Sequence, residues 1–487
     1  MMKRSLYILL GILLLSSCYR FDPDEARYTD GPVWPDYMDV TVPVGIAPLN
    51  FCYTATDGPV PVTTFSYGDL NISIKGREVV WKEKEWKKVL GAAEGGDITV
   101  KSSILPDSWT IHVSEDEIDY GINYRLIAPG YEVYSKMGIY ERSLSDYKEK
   151  ALIENTQFDG CVNCHAYNRG NPDNYSLHIR GSHGATLLDI DGEMEAYDTK
   201  TDSTLGFCVY PYWHPDGNHI AYSSNNTRQG FHVLPDKLIE VFDLDSDLLV
   251  YDIRSNCLIS SASIKKKDVW ETFPAFSADG RTLFFCAATP RPIPAEIDKI
   301  RYNLCSVDFD PATGTIGSRI DTLIFAEAMG KSVSFPKPSY DGRFLVYTLS
   351  DYGNFSIWHH EADLWILDLA TGESRPMDKA NSKDTESYHS WSSNSRWLMF
   401  SSRRDDGLYT RLFFTHIDEN GQESKPFMLP QKHPLHYYSY LNRSYNVPEF
   451  VTGPVDLDRV KAEKKINSSD RVPFGFRMSG QTDSQIH

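Results

Sequence analysis

The stretch FDGCVNCHAYNRG, residues 158–170, holds the densest chemistry in the chain: Cys161 and Cys164 stand two residues apart, with His165 directly after. Two thiols at that spacing can bond the two vinyl groups of a haem, while the adjacent imidazole reaches the iron from one side. With 8 cysteines and 14 histidines among 487 residues, composition alone yields such a run about 0.004 times, so accident is a poor account of it. Two other chemistries use the same letters. A zinc site needs four ligands, and His178 and His183 are placed to complete one. A thioredoxin-like redox pair wants a βαβ context, which is absent, leaving a plain disulfide as the simpler form of that reading.

A haem iron also needs a sixth ligand or an open place. The nearest imidazoles are His178 and His183 in YSLHIRGSHGATL, with Met137 and Met194 further away along the chain. The loop NRGNPDN between the motif and His178 is long enough to fold one of them back.

Covalent haem belongs to exported proteins, so the amino terminus bears on the motif. The chain opens MMKRSLYILLGILLLSSCYR: Lys3 and Arg4, then an apolar run from Leu6 to Leu15, then Ser16, Ser17 and Cys18. Such a run is too short to span a bilayer and has the proportions of a secretory signal. Small residues before a cysteine resemble a lipobox, which predicts removal of residues 1–17 and lipidation of Cys18. Residues 18–34 then form a polar tether, with Tyr19 after the cysteine, a pattern fitting outer-membrane sorting. The expectation is an outer-membrane lipoprotein of a Gram-negative bacterium, facing the periplasm or the cell surface.

The formal net charge is −18, and loss of Lys3 and Arg4 with the leader takes it to about −20. Such a surface repels phosphate backbones, which argues against nucleic acid as a partner. Aromatic residues are abundant (29 Tyr, 23 Phe and 10 Trp) and helical periodicities are few, which predicts an all-β chain rich in turns. Beyond Cys18, Cys161 and Cys164, five cysteines remain: Cys52, Cys208, Cys257, Cys286 and Cys305. An odd number cannot pair fully, and the last four fall in strand-like runs where buried thiols are the simpler expectation. Disulfides Cys257–Cys286 or Cys286–Cys305 remain open at this point.

The elements that must position the motif show themselves as a repeat. YPYWHPDGNHIAYSS (210–224), FPAFSADGRTLFFCA (273–287), FPKPSYDGRFLVYTL (335–349) and YHSWSSNSRWLMFSS (388–402) share an aromatic, a Pro or His, a short turn and an apolar strand. Asp216-Gly217, Asp279-Gly280 and Asp341-Gly342 are hairpin signals, weakened in the fourth copy by Ser395. A second motif follows in each period: DLLVYDI (247–253), NLCSVDF (303–309), DLWILDL (363–369) and RLFFTHI (411–417). One four-stranded blade per repeat predicts a β-propeller, with six blades as the expected closed ring and long connections such as 228–245. ATLLDIDGEMEAYDT (185–199) reads as the outer half of a first blade, and YNVPEF (445–450) as part of the final strands or a cover.

Residues 35–143 read as a separate β-sandwich-like domain with a short helix at WKEKEWKKVL (81–90). Residues 144–184 form a linker carrying the motif, with a helical start capped by Ser145. Residues 185–450 form the propeller and 451–487 a polar tail.

CVNCHAYNRGNPDNYSLHIRGSHGAT, VYPYWHPDGNHIAYSSN, SYHSWSSNSRWLMFSSRRDDG and SYNVPEF resemble a family of bacterial exported TolB-like (WD40-like, PD40) propeller proteins with one CxxCH, often labelled cytochrome c biosynthesis proteins. The resemblance covers most of the chain after about residue 35. It implies a TolB-like propeller and haem-related work. Its H-x-R-G element falls on His178-Ile179-Arg180-Gly181, which implies His178 as distal ligand and Arg180 as a partner for a haem propionate; His183 lies outside that pattern and stays the alternative distal ligand. No WWD-like haem-handling segment is present.

The functional expectation is a lipid-anchored envelope protein with one haem c, held by Cys161, Cys164 and His165, acting in electron transfer or a haem-dependent interaction. Envelope proteins at the propeller face and a redox partner would be its company. The alternative is a non-haem propeller module that scaffolds envelope complexes or binds peptides or glycans. No catalytic residues are assigned: there is no Gly-x-Ser-x-Gly elbow, which argues against a propeller peptidase. His359-His360-Glu361 and His214-Pro-Asp-Gly-Asn-His219 read as turn and loop residues.

Overall fold

The computed structural model describes residues 31–129, 136–158, 160–231 and 239–480. The expected leader, Cys18 and nearly all of the tether lie outside these residues. Among the described residues no helix is long and apolar enough to cross a membrane.

Six antiparallel blades stand around one axis, making the chain an all-β propeller. Blade 1 runs inside to outside through Gly160–Asn168, Asn171–Gly181, Ala185–Ile190 and Glu193–Asp198. Blade 2 uses Cys208–Trp213, His219–Phe231, Ile239–Asp252 and Cys257–Ser260. Blade 3 uses Trp270–Phe276, Thr282–Ala288, Tyr302–Asp310 and Thr315–Ile324. Blade 4 uses Ser332–Pro338, Phe344–Ser350, Asp363–Asp368 and Ser374–Pro376. Blade 5 uses Glu386–Trp391, Trp397–Ser402, Arg411–His416 and Phe427–Met428. Blade 6 is composite: Ser444–Val451 is its innermost strand, and Gly121–Ile127, Gly138–Ser143 and Glu149–Glu154 complete it from the other end of the chain. The six innermost strands touch in a closed ring.

Each blade is sandwiched between two others, so its inner strands bury both faces. Trp270–Phe276 and Phe344–Ser350 are buried at every position, so Phe344–Ser350 reads as a largely apolar run and not as a strict alternation, and Trp270–Phe276 carries Glu271 and Thr272 inside with its aromatic residues. Indoles tie blades together: Trp213 Nε1 donates to the Ala166 carbonyl at 3.2 Å and Trp391 Nε1 to that of Lys337 at 2.9 Å. The four hairpin turns put Gly217, Gly280, Gly342 and Ser395 at φ 70°, 73°, 75° and 60°, so the fourth turn keeps its left-handed residue without glycine.

The region before the propeller pairs a five-stranded sheet with a three-stranded one (Val33–Trp34, Phe51–Tyr53, Glu78–Val79), in contact through Phe51 and Trp109. Helix Glu83–Ala92 turns Trp86, Val89 and Leu90 into the same core. That core runs on without a break into blade 5, through Trp397, Phe414 and Phe427. Trp34 Nε1 donates to Asp405 Oδ1 at 2.8 Å and Ser393 N to Asp119 Oδ2 at 2.7 Å across the same seam.

Five features differ from the sequence expectation. The first domain gives up 121–143 to blade 6, because closure of the ring needs three strands to flank Ser444–Val451. The expected helix after Ser145 is the strand Glu149–Glu154, whose Leu152 and Ile153 are buried in a core with Ile139. The motif lies in no linker; it is the innermost strand of blade 1. The tail carries regular structure through the described residues to 480: Asp458 caps helix Arg459–Asn467, and Val472–Pro473 and Gly475–Met478 add parallel edge strands to blades 1 and 2. The expected loop 228–245 is mostly a hairpin, with blade 2 strands extending to Phe231 and from Ile239.

Candidate functional site

Each innermost strand carries the same irregularity. One residue enters the left-handed region, at Cys164 (φ 49°), Tyr210 (53°), Phe273 (51°), Phe335 (53°), Tyr388 (47°) and Val447 (48°). Pairing with the neighbouring strand shifts register at the same points. This is a β-bulge repeated six times. A non-glycine residue there costs roughly 1–2 kcal/mol. The cost recurs in five blades that lack the cysteine pair, so it belongs to the axis and not to the motif.

The bulge has a chemical effect at the motif. Side chains three apart on a regular strand face opposite ways. Reversal at Cys164 instead lets Cys161, Asn163, Cys164 and His165 all line one space, while Val162 stays in the blade core. That space is a cavity of about 190 Å³ on the axis, to which all six blades contribute. Tyr210, Phe273, Phe335 and Tyr388 form a contiguous wall, with successive ring centroids 4.6, 4.3 and 5.0 Å apart. Cys164 and Val447 fill the two remaining places of that ring of six.

The wall is cationic although the chain is acidic. Arg125, Arg180, Lys337 and Arg403 line the cavity, and Glu449 is the one carboxylate among its lining residues. Lys337 Nζ lies 3.9 Å from Glu449 Oε1. Burial pulls the Lys337 ammonium down and pushes the Glu449 carboxyl up, each opposed by the other's charge. Arg403 rests on the Trp358 ring, 3.1 Å from its centroid, and burial lowers it to about 9. Burial works against the charge of Arg180 too, but the thiols of Cys164 and Cys161 and the Tyr210 hydroxyl more than offset it.

His165 is 3% exposed, and neither ring nitrogen makes a well-formed hydrogen bond. Burial and then the Arg125 charge push its imidazole down to about 3, so it is neutral in ordinary buffers. A buried imidazole with two unpartnered nitrogens forgoes about 1–3 kcal/mol per group, which is a position suited to a metal ligand.

The other expected ligands are not brought to this cavity. His178 lies one strand outward, opposite Asn163, with Nδ1 3.0 Å from Thr186 Oγ1 and its ring 5.5 Å from Phe207. It is 2% exposed and, like His165, neutral, with burial and then Arg180 lowering it to about 3. His183 sits in the turn after that strand, half-buried. Arg180, by contrast, lines the cavity beside the thiols as a propionate partner would.

Among the described residues the one group of three potential ligands within 4.8 Å is His214, Asp216 and His219, so the cysteine pair gathers no zinc-like set. Cys52, Cys161, Cys164, Cys208, Cys286 and Cys305 are free thiols, among them the Cys286–Cys305 pair weighed for a disulfide. His214 and Asp216 take the place of a turn device used elsewhere. Ser277, Ser339 and Ser392 donate to Asp279, Asp341 and Asn394, each at 2.6 Å. His214 Nδ1 meets Asp216 Oδ1 at 2.8 Å, and its Nε2 reaches the Gly280 carbonyl of the next blade at 2.9 Å. His359 is likewise structural, 3.2 Å from Glu240 of the extended blade 2 hairpin.

Sequence reasoning missed the aromatic wall, the cationic lining and His389. The signal was present: CHAY, YPYW, FPAF, FPKP, YHSW and VPEF are six copies of one bulge segment, of which only the middle four were aligned.

No family profile and no curated protein matches the chain. Solved structures give remote likenesses. A TolB candidate from Agrobacterium tumefaciens aligns at 14% identity over 64% of this chain and 89% of that one, with TM-score 0.38. An oligogalacturonate lyase in complex with manganese gives 13%, 64%, 74% and 0.36. Kuenenia stuttgartiensis hydrazine synthase gives 12%, 65%, 47% and 0.40. The propeller assignment rests on the six blades themselves.

Proposed function

We propose that this chain is an exported, lipid-anchored envelope protein that carries one covalent haem c on its propeller axis and serves electron transfer or a haem-dependent interaction. The observation that carries the reading is the convergence of Cys161, Cys164, His165 and Arg180 on one cavity, with both His165 nitrogens buried and neither in a well-formed hydrogen bond. The donor set fits the group: two thiols for the vinyl carbons, a neutral imidazole for iron and a guanidinium for a propionate. At about 190 Å³ the space exceeds the ~150 Å³ cavity that admits benzene and falls below the ~300–1,000 Å³ usual for larger ligands. Seating a macrocycle therefore requires the walls to spread.

When bound, the haem supplies a one-electron couple or, with one axial place open, a ligand-binding iron. The chain's own residues do the rest. Arg180 and Arg125 hold negative charge in an interior closed off by aromatic rings, and the bulge at Cys164 keeps both thiols on one side. The test is a pyridine haemochrome spectrum of the mature protein, expressed with a haem-attachment system. A c-type band supports the reading, and its absence overturns it.

A second reading has its own support. Four cations against one carboxylate, behind an aromatic wall, suit an anionic ligand without haem, such as an acidic peptide or glycan. Full function in Cys161→Ser would favour this binding-module reading.

A further inference from the structure

The six bulges supply a comparison internal to the molecule. The residue after each left-handed position is His165, Pro211, Pro274, Pro336, His389 and Pro448 in blades 1 to 6. All six line the axial cavity. Proline is the default, and the position departs from it twice. Both departures are histidine, and one of them is the histidine of the cysteine motif.

His389 is prepared as a ligand. It is 2% exposed, and its Nε2–H donates to the Val346 carbonyl of blade 4 at 2.9 Å, which fixes the ring and the tautomer. Its Nδ1 is buried and makes no well-formed hydrogen bond, and the Phe335 carbonyl also acts on the ring. An imidazole that donates one N–H to a backbone carbonyl and leaves the other nitrogen bare is the usual arrangement of a metal-bound histidine. His178 too has one nitrogen held, Nδ1 by Thr186, and the other, Nε2, buried without a well-formed hydrogen bond; it differs from His389 in standing one strand outward, away from the residues that line the cavity.

We infer that His389, not His178, is the second axial ligand of the iron, since it lines the same cavity as His165 at the equivalent place of its blade. The inference rests on the haem reading above. It makes the centre six-coordinate with two imidazoles, held by blades 1 and 5 on either side of blade 6.

The experiment uses the full haem-loaded protein. The wild type is expected to show a low-spin absorption and paramagnetic-resonance spectrum. His389→Pro installs the residue that four other blades carry at this place, so the strand is expected to fold. The variant should keep its covalent haem and turn high-spin, and added free imidazole should restore the low-spin spectrum. His178→Ala should leave the spectrum unchanged. A low-spin spectrum retained in His389→Pro, or a high-spin wild type, overturns the ligand assignment while leaving the haem reading standing. Absence of covalent haem from the wild type overturns both.

Discussion

His165 and His389 occupy the same place in two different blades, each directly after the left-handed residue of its innermost strand, and both line the axial cavity. One belongs to the cysteine motif and the other stands 224 positions later in sequence, by their own numbers. The fold, not local sequence, makes them a pair.

Attachment chemistry is the first thing to check. Cys161→Ser with Cys164→Ser should abolish haem that survives denaturing electrophoresis, while the folded far-ultraviolet signal persists, because neither thiol makes a structural bond. Each single variant should retain a one-thioether product. Haem staining together with mass measurement reads both outcomes, and undiminished staining of the double variant would refute covalent attachment.

Glu271 should make the propeller less stable as the medium becomes alkaline. It is fully buried, neither oxygen is in a well-formed hydrogen bond, and burial and then Asp247 raise its carboxyl to about 9 from an ordinary value of 4.5. The native state therefore holds a proton that the unfolded chain has released between these two values. Stability is greatest below the lower one and falls as pH rises toward the upper. Glu271→Gln should flatten that slope and gain about 1–3 kcal/mol at pH 8, read by urea unfolding across the pH series.

The turn of blade 3 offers a matched pair. Gly280 and Gly342 both sit in the left-handed region, but a Cβ at Gly280 would stand 2.0 Å from His214 Nε2, whereas at Gly342 the nearest atom is Ala278 Cβ at 3.2 Å. Gly342→Ala should cost about 1–2 kcal/mol for backbone strain, and Gly280→Ala clearly more. His214→Ser, the residue of the other copies, should remove most of the excess. Equal costs at the two glycines would contradict the contact.

Closure of blade 6 is the fourth. Phe450 is 3% exposed, on the strand that joins the two ends of the described chain. Phe450→Ala should cost about 3–5 kcal/mol and lower the midpoint of one cooperative transition for the propeller. A separate early transition confined to blade 6 would show instead that the seam melts alone.

Much of this architecture was legible in the chain. Asp-Gly turns and recurrent strand pairs gave away four blades, and the alternations around Asp97–Ser102 and Trp109–Ser114 gave away the five-stranded sheet before the propeller. What hid was non-local. Blade 6 is assembled from segments some 300 residues apart, so no single period displays it. The motif strand escaped the alignment because Cys164 and His165 replace the aromatic and proline of the repeat. His389 was passed over for a related reason: a ligand was sought near the motif in sequence, while rotational symmetry put a histidine at the same depth in another blade. The thiols themselves were identified at once, but nothing short of the bulge could say that they face the same way.

The composite blade also sets an order in time. Val447 and Pro448 complete the ring around Cys164, yet they leave the ribosome about 280 residues after it. Until they are made, the ring has no closing strand on the side of the cysteine pair where blade 6 will lie. Once Ser444–Val451 pairs with Gly121–Ile127, that side is shut. A cofactor too large to pass into the closed ring therefore has a natural moment of entry, and it precedes the last strand.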